Sequence, residues 1–562
     1  MIPEDVARLS ELPLYEERTG EEYVDALTRR FSRTPNAPTM TLRPIQALML
    51  AQAVAGDGLV ALAGCGSGKT LTTLLLPLVL KAKRPLLLIP ASMRAQFASD
   101  REDYAQHFHV AELAVLSYES LSAPKQIAKL AELAPDLVIC DEAHHLRNLR
   151  SARVRRLERY LIDSGARLCA LSGTLVSRSL RDYAHVMNWG LGVWSPLPRD
   201  NSVIEQFAQV IEEQSFNRTS RAWVERALPA GNTLESRLHT RLRGSMGVVI
   251  SREQRVGASL VLARRKYQQP DRLKHAIASM LSTQSVVSAT QDLLDERAID
   301  AVLSSGELWT PQDSIYARVW SQLALGFVYV WDWGTRGEDL EWVHARREWG
   351  SSVRYVLDRG VYDSEALLKR AVFAGEYTHP RIVSALEAWE RVRHRPPPAT
   401  RAIWVDTTWV EDVATWAREQ REPPIIWVQF GAVARKLQEL TGFSMYGSGA
   451  EASARLNQRK HDAHPCIMSI PAHATGKNLQ SWQNQIVAHP LRHPATWEQM
   501  LARTHRHGQT ADSVRCVRYG HGLFARAFNS ARNDAKYIRE TTGADQRILY
   551  SSKTIDNAKT VT

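Results

Sequence analysis

The stretch A-G-C-G-S-G-K-T, Ala63 to Thr70, decides how the chain is read. It lies between the apolar runs LVALA and LTTLLLPLVL, an order that predicts strand, glycine-rich turn and helix. A turn of this kind directs backbone N–H groups inward to cradle phosphates, and the positive end of the new helix dipole adds to the attraction. Gly64, Gly66, Ser67 and Gly68 form the cradle in this reading. Lys69 reaches the β- and γ-phosphates, and the Thr70 hydroxyl holds Mg2+. The usual pattern has a glycine five residues before Gly68, where this chain has Ala63.

A length of 562 residues exceeds what one core supports and predicts about three or four domains. With 44% hydrophobic and 23% charged residues, the composition is that of a globular enzyme. The 71 basic residues outnumber the 60 acidic ones, for a net charge of +11. That excess suits a polyanionic partner, because cations near phosphates release condensed counterions. The five cysteines are dispersed, without a C-x-x-C pair, which argues against zinc fingers and disulfide frameworks. No apolar run approaches the ~20 residues that span a membrane, and MIPEDVARLSELPLYEE lacks a signal-peptide core. The expectation is an intracellular protein, cytoplasmic or nucleoid-associated.

Other stretches add to the loop. In TLRPIQALMLAQAV, Pro44 opens a helix, and Gln46 offers an amide able to read an adenine edge. A Gln on a helix surface is more often simply solvated. The strand LLLI ends in Pro90-Ala91-Ser92, at the sheet edge where ligands bind, so Ser92 and Arg94 are candidates for nucleic-acid contact. In DLVICDEAHHLRN, a buried strand delivers Asp141 and Glu142 to its end. Asp141 would orient the hydration shell of Mg2+, and Glu142 would polarise the attacking water. RLCALSGT ends in Ser172, Gly173 and Thr174, whose hydroxyls can bond the DEAH carboxylates and report the nucleotide state.

LRPIQ, AGCGSGKT, DEAHHLRN and LSGT, in this order, resemble the first motor lobe of a superfamily 2 helicase or ATPase, closest to the Snf2-like group of DNA translocases. The Ala at the head of the loop fits the A-x-x-G-x-G-K-T form common in that superfamily. TRLRGSMGVVISREQR resembles the segment that closes the first lobe, with Arg252 after a short strand. Residues ~270–395 read as mostly helical. They carry Trp309, Trp320, Trp331, Trp333, Trp342 and Trp349, six of sixteen tryptophans. Such rings interleaved with Arg can stack on bases, but at helical spacing they are more often core. RVRHRPPPATR, Arg391 to Arg401, reads as a stiff linker.

The second half continues the resemblance. PPIIWVQF resembles the opening of a second motor lobe, with Gln429-Phe430 at its end. Thr475, Gly476, Lys477, Asn478 and Leu479 resemble the G-x-G-L-N-L loop, with Lys477 in place of an apolar residue. Gln499, Arg503, Arg506, Gly508 and Gln509 match Q-x-x-x-R-x-x-R-x-G-Q. Arginines three apart on a helix share a face and can neutralise charge at a γ-phosphate. The group's usual Asp-Pro before this helix is His489-Pro490 here.

The resemblance implies an α/β fold of two RecA-like, doubly wound parallel-sheet lobes with a mainly helical insertion. The boundaries expected are a helical lead-in over 1–35, the first lobe over 36–265, the Trp-rich insertion over 266–395, the second lobe over 396–545 and a polar tail over 546–562. ATP and Mg2+ are the implied cofactors, with Lys69, Glu142, Arg503 and Arg506 catalytic, Gln46 and Gln499 on the nucleotide, and Thr70 and Asp141 on the metal. Ser92, Arg94, Ser172, Gly173, Thr174, Thr475, Gly476 and Asn478 are implied in nucleic-acid contact or coupling. The expected partner is double-stranded DNA. An RNA or single-strand helicase, or an ATP-gated DNA-binding subunit of a larger complex, stays open as an alternative.

Overall fold

Short apolar runs in the first half of the chain become adjacent strands. β1 (Leu59–Leu62), β2 (Pro85–Ile89), β3 (Ala114–Ser117), β4 (Leu137–Asp141), β5 (Arg167–Leu171) and β6 (Val248–Ile250) form a sheet in the order β3-β2-β4-β5-β1-β6. Every neighbouring pair is parallel. A parallel sheet is covered on both faces, so its strands read as continuous apolar runs. The period of two survives in where the side chains go. Val60, Leu86 and Val138 enter one core, while Leu59, Leu87 and Ile139 enter the other. This is a computed structural model, and it describes residues 2–16, 18–64, 66–122, 128–213, 217–251, 256–283, 319–359, 362 and 364–550.

The chain divides into two compact units. The first takes Met1–Gly257, His493–Ala502 and Ala531–Leu549; the second takes Ala258–Arg492, Arg503–Ser530 and Tyr550. Strands of the second are β7 (Ser259–Arg265), β8 (Phe327–Asp332), β9 (Ala399–Trp404), β10 (Pro424–Val428), β11 (Ser444–Tyr446), β12 (Cys466–Ser469), β13 (Asn484–Val487) and β14 (Ser513–Tyr519). Six of them make a second parallel sheet, β11-β12-β10-β13-β14-β7.

Two boundaries differ from the sequence reading. β7, inside the bounds expected for the first lobe, is instead the edge strand of the second sheet, paired with β14 from Ser259↔Ser513 to Arg265↔Tyr519. A strand settles where its backbone groups and its apolar side are both satisfied, and Ala263 lies in the core of the second unit. Residues 493–502 and 531–545, expected in the second lobe, and 546–549, expected in the polar tail, belong to the first unit. Ile538 packs into a core of that unit, Tyr537 Oη donates to Glu212 Oε1 at 2.8 Å, and Arg547 makes a buried ion pair with Glu498.

The insertion is stitched into the second unit rather than hung from it. Helices Leu340–Asp358, Glu365–Phe373 and Pro380–Val392 lie between β8 and β9 in sequence. Those two strands pair antiparallel, Phe327 opposite Trp404 and Asp332 opposite Ala399. The proline-rich linker is therefore shorter than expected. The helix runs to Val392 and β9 begins at Ala399, leaving 393–398 as the connection. The three prolines fall where no ladder N–H is needed. Trp342 and Trp349 are buried in small cores of this region, as their helical spacing suggests. Arg252 and Trp309 lie outside the described residues. Among the described residues, no helix is long and apolar enough to cross a membrane.

Candidate nucleotide site

The loop after β1 is shaped by two glycines with left-handed backbone. Gly66 has φ +90° and Gly68 has φ +82°, values that L side chains rarely adopt. Gly68 caps the helix Lys69–Val79. A Cβ built at Gly66 meets nothing within 4 Å, so the tip of the loop borders open space. Lys69 folds back, its Nζ donating to Ala63 O at 3.0 Å and Gly64 O at 3.3 Å. Ser67 Oγ donates to Gly64 O at 2.8 Å. Thr70, half-exposed, starts the first turn of the helix beside Lys69.

Three residues from other segments hold this loop in place. Gln46 Nε2 donates to Gly68 O at 3.1 Å, while Gln46 Oε1 accepts from Arg43 N–H at 2.8 Å. Arg43 Nη1 donates to Gly66 O at 2.8 Å. Gly64 N–H donates to Ser251 Oγ at 2.9 Å, just beyond β6. The amide of Gln46 thus ties the end of the loop to the segment at Arg43. Arg43 and Ser251 were not singled out from the sequence. Ser251 stands 187 residues after Gly64, and only the pairing of β1 with β6 brings them together.

At the carboxyl end of β4 the acid pair is buried, with Asp141 4% and Glu142 5% exposed. Burial raises the Asp141 carboxyl to about 6, and the charge of Glu142 adds to this, against opposing contributions from Lys69 and the Glu142 amide. Glu142 has φ +53°, a left-handed conformation uncommon outside glycine. This turns the chain into the 3-10 turn Ala143–Leu146. Tyr118 Oη donates to Asp141 O at 2.8 Å, and its ring stacks on His145 at 5.0 Å. Burial and the neighbouring His144 lower His145 to about 4, which leaves it neutral.

His144 joins β4 to β5. Its Nδ1 lies 3.2 Å from Glu142 Oε2, 3.2 Å from Ser172 Oγ and 3.2 Å from Thr174 Oγ1. Gly173 packs so closely that a Cβ there would stand 3.0 Å from Ala63 O and 3.0 Å from Gly64 Cα. Gln499, in the first unit, donates from Nε2 to Thr174 Oγ1 at 3.4 Å. The loops after β1, β4 and β5 therefore meet at one edge of the sheet, where open parallel sheets bind ligands. Ser92 is exposed in the turn after β2, and Arg94 Nη2 donates to Val115 O at 3.0 Å.

The second unit holds the remaining residues. Arg503 is buried, its Nε donating to Ala474 O at 2.9 Å and its Nη1 to Lys477 O at 3.3 Å. The helix Pro494–Thr504 ends before Arg506, so the two arginines do not share a helical face as their spacing predicts. The cause is local: Gln509 Nε2 donates to Thr504 O at 3.1 Å, and Gly508 turns with φ +89°. Arg506 is half-exposed and donates to Asn478 Oδ1. Gly476 is left-handed at φ +70°, with Thr475 half-exposed beside it. Lys477 turns inward to Ser453 and Asn457, and burial lowers its ammonium. His489, which stands where the resembled group usually has Asp, is pushed down to about 3 by burial and stands neutral against Phe430.

Among the described residues, no group of three or more His, Cys, Asp or Glu could hold a metal ion alone. Mg2+ held through one or two carboxylates, waters and substrate phosphates needs no such group. No model of a known protein family matches the chain, and a search of curated proteins finds no match.

Proposed function

We propose that the chain is a nucleic-acid-dependent ATPase that moves along double-stranded DNA, a superfamily 2 motor of the Snf2-like kind built on two RecA-like lobes. The observation that carries this reading is one juxtaposition in the first unit. A glycine loop with a lysine, a buried acid pair and two hydroxyls bridged by His144 meet at the ends of β1, β4 and β5.

Bound Mg2+ and ATP supply the phosphoanhydride to be cleaved and neutralisation of its charge. The residues of the chain do the rest. Lys69 exchanges the carbonyls of Ala63 and Gly64 for phosphate oxygens. Asp141, ionised at neutral pH, and Thr70 would hold a divalent cation through its water shell. Glu142 accepts a proton from the attacking water. We assign the charge developing on the γ-phosphate to Arg506 rather than Arg503, whose donors already hold the loop at 474–477. His144, Ser172 and Thr174 carry the state of the site toward the DNA-contacting loops.

The test is ATP hydrolysis measured alone and with duplex DNA, single-stranded DNA and RNA. Duplex DNA should stimulate most; stimulation by RNA alone overturns the DNA reading. Lys69→Ala should abolish hydrolysis, and normal turnover in that variant overturns the assignment of the site.

A further inference from the structure

At the carboxyl ends of β14 and β7 the second unit has an open cavity of about 610 Å³, lined by none of the candidate nucleotide-site residues. β14 runs through Gly520 and His521 into the helix Gly522–Thr542, and β7 runs through 266–270 into the helix Asp271–Thr283. Neighbouring parallel strands that each turn into a helix leave their loops at one edge of the sheet, where open α/β sheets bind ligands. Arg264, Arg265, Lys266 and Lys274 line the cavity and, among the described residues, no acid does. Arg265 holds Asp412 through two bonds of 2.6 and 2.7 Å, and Lys274 holds Asp271 at 2.8 Å.

The start of the longer helix supplies donors. Ala525 N–H donates to His521 O at 3.2 Å and closes the first turn. The N–H groups of Gly522, Leu523 and Phe524 come before it and have no acceptor within the helix. With the helix dipole they favour a negative group. A Cβ on Gly520 would stand 2.4 Å from Arg264 Cδ, so it is a glycine that lets this side chain lie across the loop.

Two side chains beside the helix start have unmet hydrogen-bonding capacity. Gln269 is only 7% exposed, and its amide bonds no described residue. Its Oε1 lies 3.4 Å from where a Cβ on Gly522 would be, over the first residue of the helix. His521 lines the cavity with both ring nitrogens buried, and among the described residues neither has a hydrogen-bond partner. Burial pushes its imidazole down to about 4, against the charge of Asp412, so it stands neutral with one N–H to donate. A buried polar group left unpaired costs free energy, and a ligand is one way to supply its partner. Donors within a basic lining select an anion rich in acceptors. We propose that this cavity binds a phosphate group, held by the first-turn N–H groups of the helix and the amide of Gln269 among the basic side chains.

The test uses the full chain carrying Lys69→Ala, so that the nucleotide loop contributes little, and follows saturable binding of inorganic phosphate by phosphorus NMR. Gln269→Glu keeps the size of the side chain but puts a carboxylate at the helix start. That group bonds the same N–H donors and repels phosphate, so binding should be lost while the chain melts no lower. No saturable binding in the parent, or equal affinity in this variant, overturns the proposal. Gln269→Leu removes the amide without adding charge, and affinity should fall about tenfold. An unchanged affinity there assigns Gln269 to packing alone and overturns the proposal too.

Duplex DNA separates the two sources of the phosphate, with its affinity read by fluorescence anisotropy across salt. If Gln269→Glu weakens duplex binding and lowers the slope of log affinity against log salt by about 0.9, the phosphate belongs to a DNA backbone. If duplex affinity holds while inorganic phosphate is lost, the ligand is a free phosphate ester. Because these measurements use no ATP and a disabled nucleotide loop, this inference and the ATPase reading fail separately.

Discussion

Glu142 and His144 face each other at 3.2 Å, through the same imidazole nitrogen that lies 3.2 Å from Ser172 Oγ and 3.2 Å from Thr174 Oγ1. One ring nitrogen carries either a proton or a lone pair. It can donate to the carboxylate or accept from a hydroxyl, so Glu142 and the end of β5 compete for it. Glu142→Gln should lower hydrolysis by about 10²–10⁴-fold while ATP still binds. His144→Ala should keep DNA-independent hydrolysis and lose the stimulation by DNA. Equal losses in both assays would show that His144 only positions Glu142.

Stability should depend on pH through Asp141. A carboxyl raised from 3.8 to about 6 holds its proton more tightly folded than unfolded. Its favourable contribution is complete below about pH 4 and is lost as pH rises through about 6. At neutral pH the ionised, buried carboxylate then costs on the order of 2–3 kcal/mol. Asp141→Asn should therefore melt higher than the wild type at neutral pH and no higher at pH 4, while losing Mg2+-dependent hydrolysis. A variant that melts lower at neutral pH contradicts the cost assigned to burial.

Arg503 and Arg506 should separate when each is changed to Ala. Arg503 is buried and donates to two carbonyl oxygens of the loop at 474–477, so removing it should cost on the order of 3 kcal/mol of stability. Arg506 is half-exposed, and its removal should change stability by no more than about 0.5 kcal/mol. Its effect should appear in turnover instead, as a drop of about 10³-fold or more. Melting curves and steady-state kinetics on the two variants decide this, and the reverse pattern would exchange their roles.

The brace on the loop can be tested at Gly68. A Cβ there would lie 2.2 Å from Gln46 Nε2, on a backbone at φ +82°. Gln46 cannot swing aside without giving up its bonds to Arg43 and Gly68. Gly68→Ala should therefore weaken ATP binding sharply. Adding Gln46→Ala should restore part of it by opening the space, leaving a cost of about 1 kcal/mol for the left-handed Ala. Titration of a fluorescent ATP analogue against both variants reads this out. A double variant no better than the single one would show that strain, not the clash, governs the loop.

Much of the candidate site was legible because its chemistry is local. Gly66, Gly68 and Lys69 lie in one turn, Asp141 and Glu142 are adjacent, and each follows an apolar run that a parallel sheet buries on both faces. The partners were not legible. Ser251 reaches Gly64 across 187 residues, and Gln499 reaches Thr174 across 325. Arg503 and Arg506 have the spacing of a shared helical face, yet the amide of Gln509 ends the helix between them.

The sequence by itself determined the glycine loop, the acid pair, the apolar runs that become strands and the basic excess, since each depends on neighbouring residues or on composition. Only the tertiary structure decided that β7 completes the second sheet and that residues 531–549 return to the first unit. It also decided that the amide of Gln46 braces the loop and that His144 meets the end of β5. The physical reason is that a strand edge, a buried donor or an indole can be satisfied by several distant partners with the same local signature. The choice among them is made by long-range pairing, which leaves no local mark in the chain.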